Sequence, residues 1–290
     1  MAKADFREWV EQGAENEIFR KAVHIILHAI SRREELREIL VLKGGILLAL
    51  NYESTRYTRD IDFSIEKKIE EVDVQEILGK LSQELVESVN ELNYGTDCAI
   101  QGWEQNPPGG DVSFPTIRVR VGYAEFGNQR AHRRLAQKNA VHVIKLDLSL
   151  NEPRGDPELF ELEDNNIIQI YSLHDLVAEK YRAILQQEIR NRTRRQDVYD
   201  LYLLISTIKK LQSKKTQFLI FKSLIIKARS RDVPLSKDSM ENPQIIDRSK
   251  KQYGQLRDEI EGELPNFDEA YGLVKNYYEN LNWEKLKLST

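Results

Sequence analysis

The stretch 42–65, LKGGILLALNYESTRYTRDIDFSI, constrains this chain more than any other. Asp60 and Asp62 are interleaved with Ile61, Phe63 and Ile65. That alternation reads as a strand with Asp60, Asp62 and Ser64 on one face and the apolar residues on the other. Two carboxylates on one strand face repel each other unless something cationic sits beside them. Upstream, Leu40-Val41-Leu42 reads as a short buried strand, Lys43-Gly44-Gly45 as a turn, and residues 46–50 as the start of a helix. Glycine lets a backbone approach a ligand closely, and the free amides of a helix N-terminus favour an anion. A double glycine alone is more often an ordinary tight turn, so the weight rests on its pairing with the acidic strand.

A chain of 290 residues implies one large or two ordinary domains. With 40% hydrophobic and 31% charged residues it reads as a polar globular protein, and a net charge of -4 gives no whole-molecule basic field for nucleic acid. Cys98 is the only cysteine, which excludes an intramolecular disulfide framework and a cysteine-rich zinc site and favours a cytoplasmic protein. The first residues lack the apolar core of a signal peptide, and the longest apolar runs fall short of a membrane span, so no membrane association is expected. No internal repeat is present.

Apolar spacing predicts helices over 4–12, 16–31 and 72–92, and strands over 99–103, 116–123 and 141–150. The segment 32–37 reads as solvated, 51–59 as a loop, and Pro107-Pro108-Gly109-Gly110 as a turn. After Pro153 strands give way to helices, with 167–170 as a last short strand. Ser172 reads as the N-cap of a helix over 173–189, with Asp175 as its capping-box partner. Further helices are expected over 195–211, 216–230, 246–261 and 267–281. The division falls near 165–172, a mixed domain over 1–168 and a helical domain over 169–290, an α+β chain.

Three constellations carry chemistry. Asp60, Asp62 and Asp147, the last in the strand KLDLSL, offer the oxygen-only ligands that Mg²⁺ or Mn²⁺ takes, and two such ions can clamp the entering and leaving oxygens of a phosphoryl transfer. Arg56 and Thr58 precede the acidic pair at period two, so a strand reaching that far would align all four; Arg56 would then hold a phosphate oxygen or an ion pair with a nearby Asp. Lys180 adjoins the apolar stripe of its helix, a phosphate-binding charge or a surface lysine, and Asp197 and Asp200 come after a dense arginine cluster that makes structural ion pairs the plainer reading. Separately, 113–145 holds seven Lys or Arg against the single acid Glu125, either a nucleic-acid track or a solvated loop.

Taken together, Gly44-Gly45, Arg56-x-Thr58-x-Asp60-x-Asp62, the IKLDL of 144–148, the LVAEKYRAI of 176–184 and the RRQDVYDL of 194–201 resemble, in order, the four motifs of the AbiEii/AbiGii nucleotidyltransferase family. Its members are toxins of type IV toxin–antitoxin and phage-defence systems within the polymerase-beta nucleotidyltransferase superfamily. The sequence departs at Gln196, where a basic residue is usual, and at Ile46, where a small one is. The resemblance implies a polymerase-beta-like domain, a small mixed sheet with helices, followed by a helical bundle. It implies transfer of NMP from NTP to the 3′ acceptor end of tRNA or to other RNA, or alternatively to a small molecule or protein; a non-catalytic nucleotide- or antitoxin-binding module is the other alternative. It carries metal binding onto Asp60, Asp62 and Asp147, nucleotide binding onto Lys43, Gly44, Gly45, Arg56, Thr58 and Lys180, and catalytic roles onto the three carboxylates, Lys180 and Asp197. It also implies a cognate antitoxin encoded nearby.

Overall fold

The computed structural model describes residues 2–3, 6–12, 16–109, 112–162 and 165–284. They form two compact units. One takes in the chain up to Asn51, then Thr58–Glu152 and Pro157–Ile170; the other is built from Tyr52–Tyr57, Pro153–Asp156 and the chain from Tyr171 onward.

The first unit runs β1 (Ala2–Lys3), α1 (Phe6–Glu11), α2 (Glu17–Arg32), α3 (Glu34–Ile39), β2 (Val41–Lys43), α4 (Gly44–Asn51), β3 (Asp60–Ser64), α5 (Val74–Leu92), β4 (Thr96–Asn106), β5 (Thr116–Glu125), α6 (Gln129–Ala136), β6 (His142–Ser149), β7 (Glu158–Glu161) and β8 (Ile167–Ile170). Its described strands form one mixed sheet in the order β1-β7-β8-β2-β3-β6-β5-β4. The alternation expected of the acidic strand is present: Ile61 and Phe63 are fully buried, while Asp60 and Asp62 are half-buried. Helix α5 buries Ile77, Leu78, Leu81, Leu85, Val89 and Leu92 at helical spacing. It starts where the Asp73 side chain accepts from the Glu76 amide at 3.0 Å and stops at Asn93 in the left-handed region.

Three expectations for this unit need correction. The stretch 32–37 exposes Arg32, Glu34 and Glu35 as expected, but residues 34–39 are also a helix: Leu36 is buried, and Glu34, Glu35 and Arg37 sit at the helix ends that suit their charges. The basic stretch after β5 is not all loop, because Asn128 caps α6 through the Ala131 amide and Leu135 is buried. Strand β7 is an element that no pattern after Pro153 marks. It is four residues long, pairs antiparallel with β8 and buries fully only Phe160, too little for a recognisable period. Residues 4 and 5 of the first expected helix, and Gly110 of the expected turn, lie outside the described residues.

The second unit contains α7 (Leu173–Leu185), α8 (Arg195–Thr207), α9 (Lys214–Arg229), α10 (Pro243–Lys250) and α11 (Phe267–Glu279). Ser172 caps α7 as expected, accepting from the Asp175 amide at 3.3 Å. The Asp175 carboxylate does not close a capping box; it accepts from the Gly155 amide at 2.8 Å and from the Ser223 hydroxyl, pinning the short 153–156 segment to the bundle. The helix expected over 246–261 breaks after Lys250, passes Gln252 at φ +61° and resumes as a 3₁₀ segment, Tyr253–Asp258. Helix α7 packs on α8 and α9, and Tyr181 donates its hydroxyl to the Val274 carbonyl of α11 at 2.9 Å. No helix among the described residues is long and apolar enough to cross a membrane.

Because Phe63 is fully buried within the strand that carries both carboxylates, Phe63→Ala is expected to cost about 3–5 kcal/mol of unfolding free energy. Val86→Ala, at an exposed helix position, is expected to change it by less than about 0.5 kcal/mol in the same denaturant titration.

Candidate functional site

The double glycine is explained by what lies against it. Gly44 has φ +74°, a conformation costly for any residue with a Cβ, and a methyl group built there would collide with the Asp62 carboxylate. A methyl group at Gly45 would meet the Thr58 side chain at 3.0 Å. The turn that starts α4 is therefore bare so that Asp62 and Thr58 can close on it. Lys43, at the end of β2, is the register partner of Asp62, and its ammonium donates to Glu152 at 2.6 Å within a buried pair.

Strand pairing lays the remaining groups in two rows across one sheet face. Asp62 is opposite Asp147, Asp147 opposite Arg118, and Arg118 opposite Glu104. Asp60 is opposite Lys145, and Lys145 opposite Arg120. Arg118 grips Asp147 with both forks of its guanidinium, Nε to Oδ1 at 2.8 Å and Nη2 to Oδ2 at 3.0 Å. Burial raises the Asp60 carboxyl above its ordinary value and the charge of Asp147 adds to this, against the pull of Lys145, Arg118 and Arg59. The carboxylates thus repel each other as the sequence demands, and cations on the neighbouring strands offset part of that repulsion.

The second unit brings together Arg56, Lys180, Asp197 and Asp200. Asp200 is completely buried. It accepts two hydrogen bonds from Arg56, Nε at 2.9 Å and Nη2 at 3.0 Å, and one from the Lys180 ammonium at 2.6 Å. Lys180 also donates to Asp197 Oδ1 at 3.1 Å. The other Asp197 oxygen is buried without a hydrogen bond, with Arg194 3.9 Å away. Burial works against the charge on Lys180, yet Asp200 and Asp197 hold its ammonium above the ordinary lysine value. Burial likewise pushes the Asp200 carboxyl up, and Arg56 and Lys180 together bring it below its ordinary value.

Strand β3 begins at Asp60, in keeping with the loop expected over 51–59, so Arg56 and Thr58 do not extend its face. Arg56 belongs with the helical unit, as an ion-pair partner of Asp200. Lys180 is buried rather than at a stripe's edge. Asp197 meets Lys180, while Asp200, which spacing marks only as a structural ion-pair residue, does most of the orienting. The signal that could have found it is its offset of three from Asp197, which puts both carboxylates on one helix face.

The fit to a divalent cation is one of donor chemistry and register. Asp60, Asp62 and Asp147 supply only hard oxygen donors, on one face of two paired strands. As the side chains stand, both oxygens of Asp147 are engaged by Arg118, and among the described residues no group of three or more His, Cys, Asp or Glu is arranged to hold a metal ion.

A family model, the nucleotidyl transferase AbiEii toxin of type IV toxin–antitoxin systems, matches residues 26–272. A Helicobacter pylori protein assigned as a nucleotidyltransferase aligns structurally over 96% of this chain and 98% of its own, at 18% identity and a TM-score of 0.53. JHP933 from Helicobacter pylori aligns over 96% and 95%, at 19% identity and a TM-score of 0.52. These similarities establish a shared fold. MenT4, a nucleotidyltransferase toxin of Mycobacterium tuberculosis, aligns over 95% and 98%, at 14% identity and a TM-score of 0.46. A search of curated protein sequences gives no match.

Two outcomes are expected from the geometry. Gly44→Ala forces both an unfavourable φ and displacement of Asp62, and is expected to destabilise by at least about 1–2 kcal/mol, read as a lowered midpoint of thermal unfolding. Asp200→Ala leaves Arg56 and Lys180 without their shared buried partner and is expected to cost about 3–5 kcal/mol. The Asp200 carboxyl is depressed in the folded state, so its contribution is present above the ordinary value of 3.8 and lost as pH falls through the lower folded value. Acid titration of stability should accordingly be shallower below that value for Asp200→Asn than for the unaltered protein.

Proposed function

This chain belongs to the AbiEii family of nucleotidyl transferase toxins of type IV toxin–antitoxin systems, and from that premise we propose that it moves NMP from an NTP to the 3′ end of an RNA, with tRNA the foremost acceptor. It is a nucleotidyltransferase, and the family implies an NTP substrate and an antitoxin partner. The observation that carries the finer reading is the sheet face on which Asp60, Asp62 and Asp147 lie beside Arg120 and Lys145, both exposed.

In this reading the acceptor hydroxyl oxygen attacks the α-phosphorus of the NTP. The bond from that phosphorus to the bridging oxygen breaks, and pyrophosphate leaves with the electron pair. A divalent cation, when bound, supplies charge neutralisation on the phosphates and polarises the reacting oxygens. Asp60 and Asp62 would hold it first, with Asp147 as the third ligand, whose charge also favours departure of the hydroxyl proton. The bare backbone at Gly44 and Gly45 and the neighbouring Lys43 and Thr58 serve the triphosphate. The family resemblance carries phosphate neutralisation onto Lys180, and within the helical unit Asp197 and Asp200 orient Lys180 and Asp200 orients Arg56. Such catalysis rests on positioning and electrostatics rather than on a covalent intermediate.

Exposed cations support an RNA acceptor over a small one. The cations Arg120 and Lys145 are joined by those of α6, a helix packed on β5 that carries Arg130 and Arg133 exposed and Arg134 half-buried, a concentration of charge suited to a phosphate backbone. The test is incubation of the purified protein with Mg²⁺ or Mn²⁺, α-phosphate-labelled NTPs and total RNA. Label is expected in nuclease-sensitive material, with tRNA-sized products, and Asp62→Ala should lower the rate by at least about 100-fold. Label in protease-sensitive or small-molecule product would replace the RNA acceptor. NTP binding with no transfer by the unaltered protein would overturn the reaction.

A further inference from the structure

Arg118 lies between two carboxylates. Across β6 it grips Asp147 with two hydrogen bonds, and across β4 its Nη1 comes within 4.0 Å of Glu104 Oε1. The three residues are direct register partners, so a side-chain rotation alone, with no change in strand pairing, can move the guanidinium from one carboxylate toward the other. The two carboxylates are not equivalent: Asp147 is half-buried, while Glu104 projects into solvent. Arg118 itself is half-buried, its side chain 29% exposed.

We infer that Arg118 is a latch on the third carboxylate: it holds Asp147 while no divalent ion is bound and swings toward Glu104 when the ion takes Asp147. The inference rests on the proposed metal role of Asp60, Asp62 and Asp147, and adds to it a competitor and a second resting place for that competitor. The physical basis is that one guanidinium fork and one divalent cation both need the same two oxygens. An ion that binds Asp147 must displace two charge-assisted hydrogen bonds, and the nearby Glu104 lowers the cost of that displacement by receiving the freed arginine. A consequence is that the released Arg118 presents its donors on the face where phosphates would arrive, so ion binding and anion binding reinforce one another.

The measurement is Mn²⁺ binding to the full chain in the absence of nucleotide, read from the loss of the free-ion electron paramagnetic resonance signal. Arg118→Ala should bind Mn²⁺ about tenfold more tightly than the unaltered protein, and Arg118→Lys, which keeps the charge but not the fork, by less. Glu104→Gln should weaken binding several-fold when Arg118 is present and have little effect in the Arg118→Ala background, a coupling that a passive strand ion pair does not produce. Arg120→Ala, on the same strand face but opposite Lys145, controls for the general loss of positive charge and should give a smaller gain than Arg118→Ala. Mn²⁺ binding that is lost in Asp62→Ala but unchanged or weakened in both Arg118 variants would overturn the latch alone. Absence of any Asp62-dependent binding would overturn the metal reading and the latch with it. Failure of both Arg118 variants to give a cooperative melt would show the pair to be structural and would also overturn the latch.

Discussion

The sheet unit depends on one close approach, Asp62 against the backbone of Gly44. A carboxylate on a half-buried strand face needs either water or fixed partners, since desolvating it alone is costly. Here β2 and β3 pair so that Asp62 faces the turn where α4 begins, and only a residue without a Cβ leaves space for it. Thr58 uses the next glycine in the same way. The double glycine is thus a steric consequence of the acidic strand.

The helical unit solves a different problem. Two cations, Arg56 and Lys180, converge on one buried carboxylate, and a second carboxylate, Asp197, takes one further hydrogen bond from Lys180. A buried ion cluster of this kind contributes little net stability relative to an apolar core of the same volume, but removal of any one member leaves the others uncompensated. Its value is directional. Two hydrogen bonds hold the arginine and two the lysine, so each charge is kept in a fixed direction.

Much of this is legible in the chain itself, and for identifiable reasons. Strong period-two and period-3.6 patterns mark β3, β5, β6 and α5, because each has one buried and one more open face. The Ser172 cap is legible because capping is local chemistry. The elements that escape are those held by non-local partners. Strand β7 exists because β8 offers an edge to pair with, and α3 because Leu36 has a core to enter. Asp175 has the right offset for a capping box, but the backbone of Gly155, twenty residues earlier, competes successfully for its carboxylate. Arg118 is visible in the sequence only as one member of a cationic face; that it holds Asp147 depends on the register between β5 and β6, which spacing within either strand does not encode.

The motif Arg56-x-Thr58-x-Asp60-x-Asp62 shows how a regular spacing can arise without a regular structure. Period two suggests four side chains on one extended face. Instead the chain leaves the helical unit after Tyr57 and enters the sheet unit at Thr58, and the strand starts only at Asp60. Arg56 is fixed by Asp200, with the next backbone amide, that of Tyr57, bonded to the Glu259 carbonyl. Thr58 is fixed by the glycine turn, and Asp60 and Asp62 by the ladder with β6. Three separate sets of constraints therefore act on the seven consecutive residues 56–62, which leaves few positions free to vary without cost to one unit or the other. A short motif of this kind is informative because so many independent contacts pass through it, and the same density makes a single-residue insertion between Arg56 and Asp60 harder to absorb than one at the exposed residues 107–109 after β4.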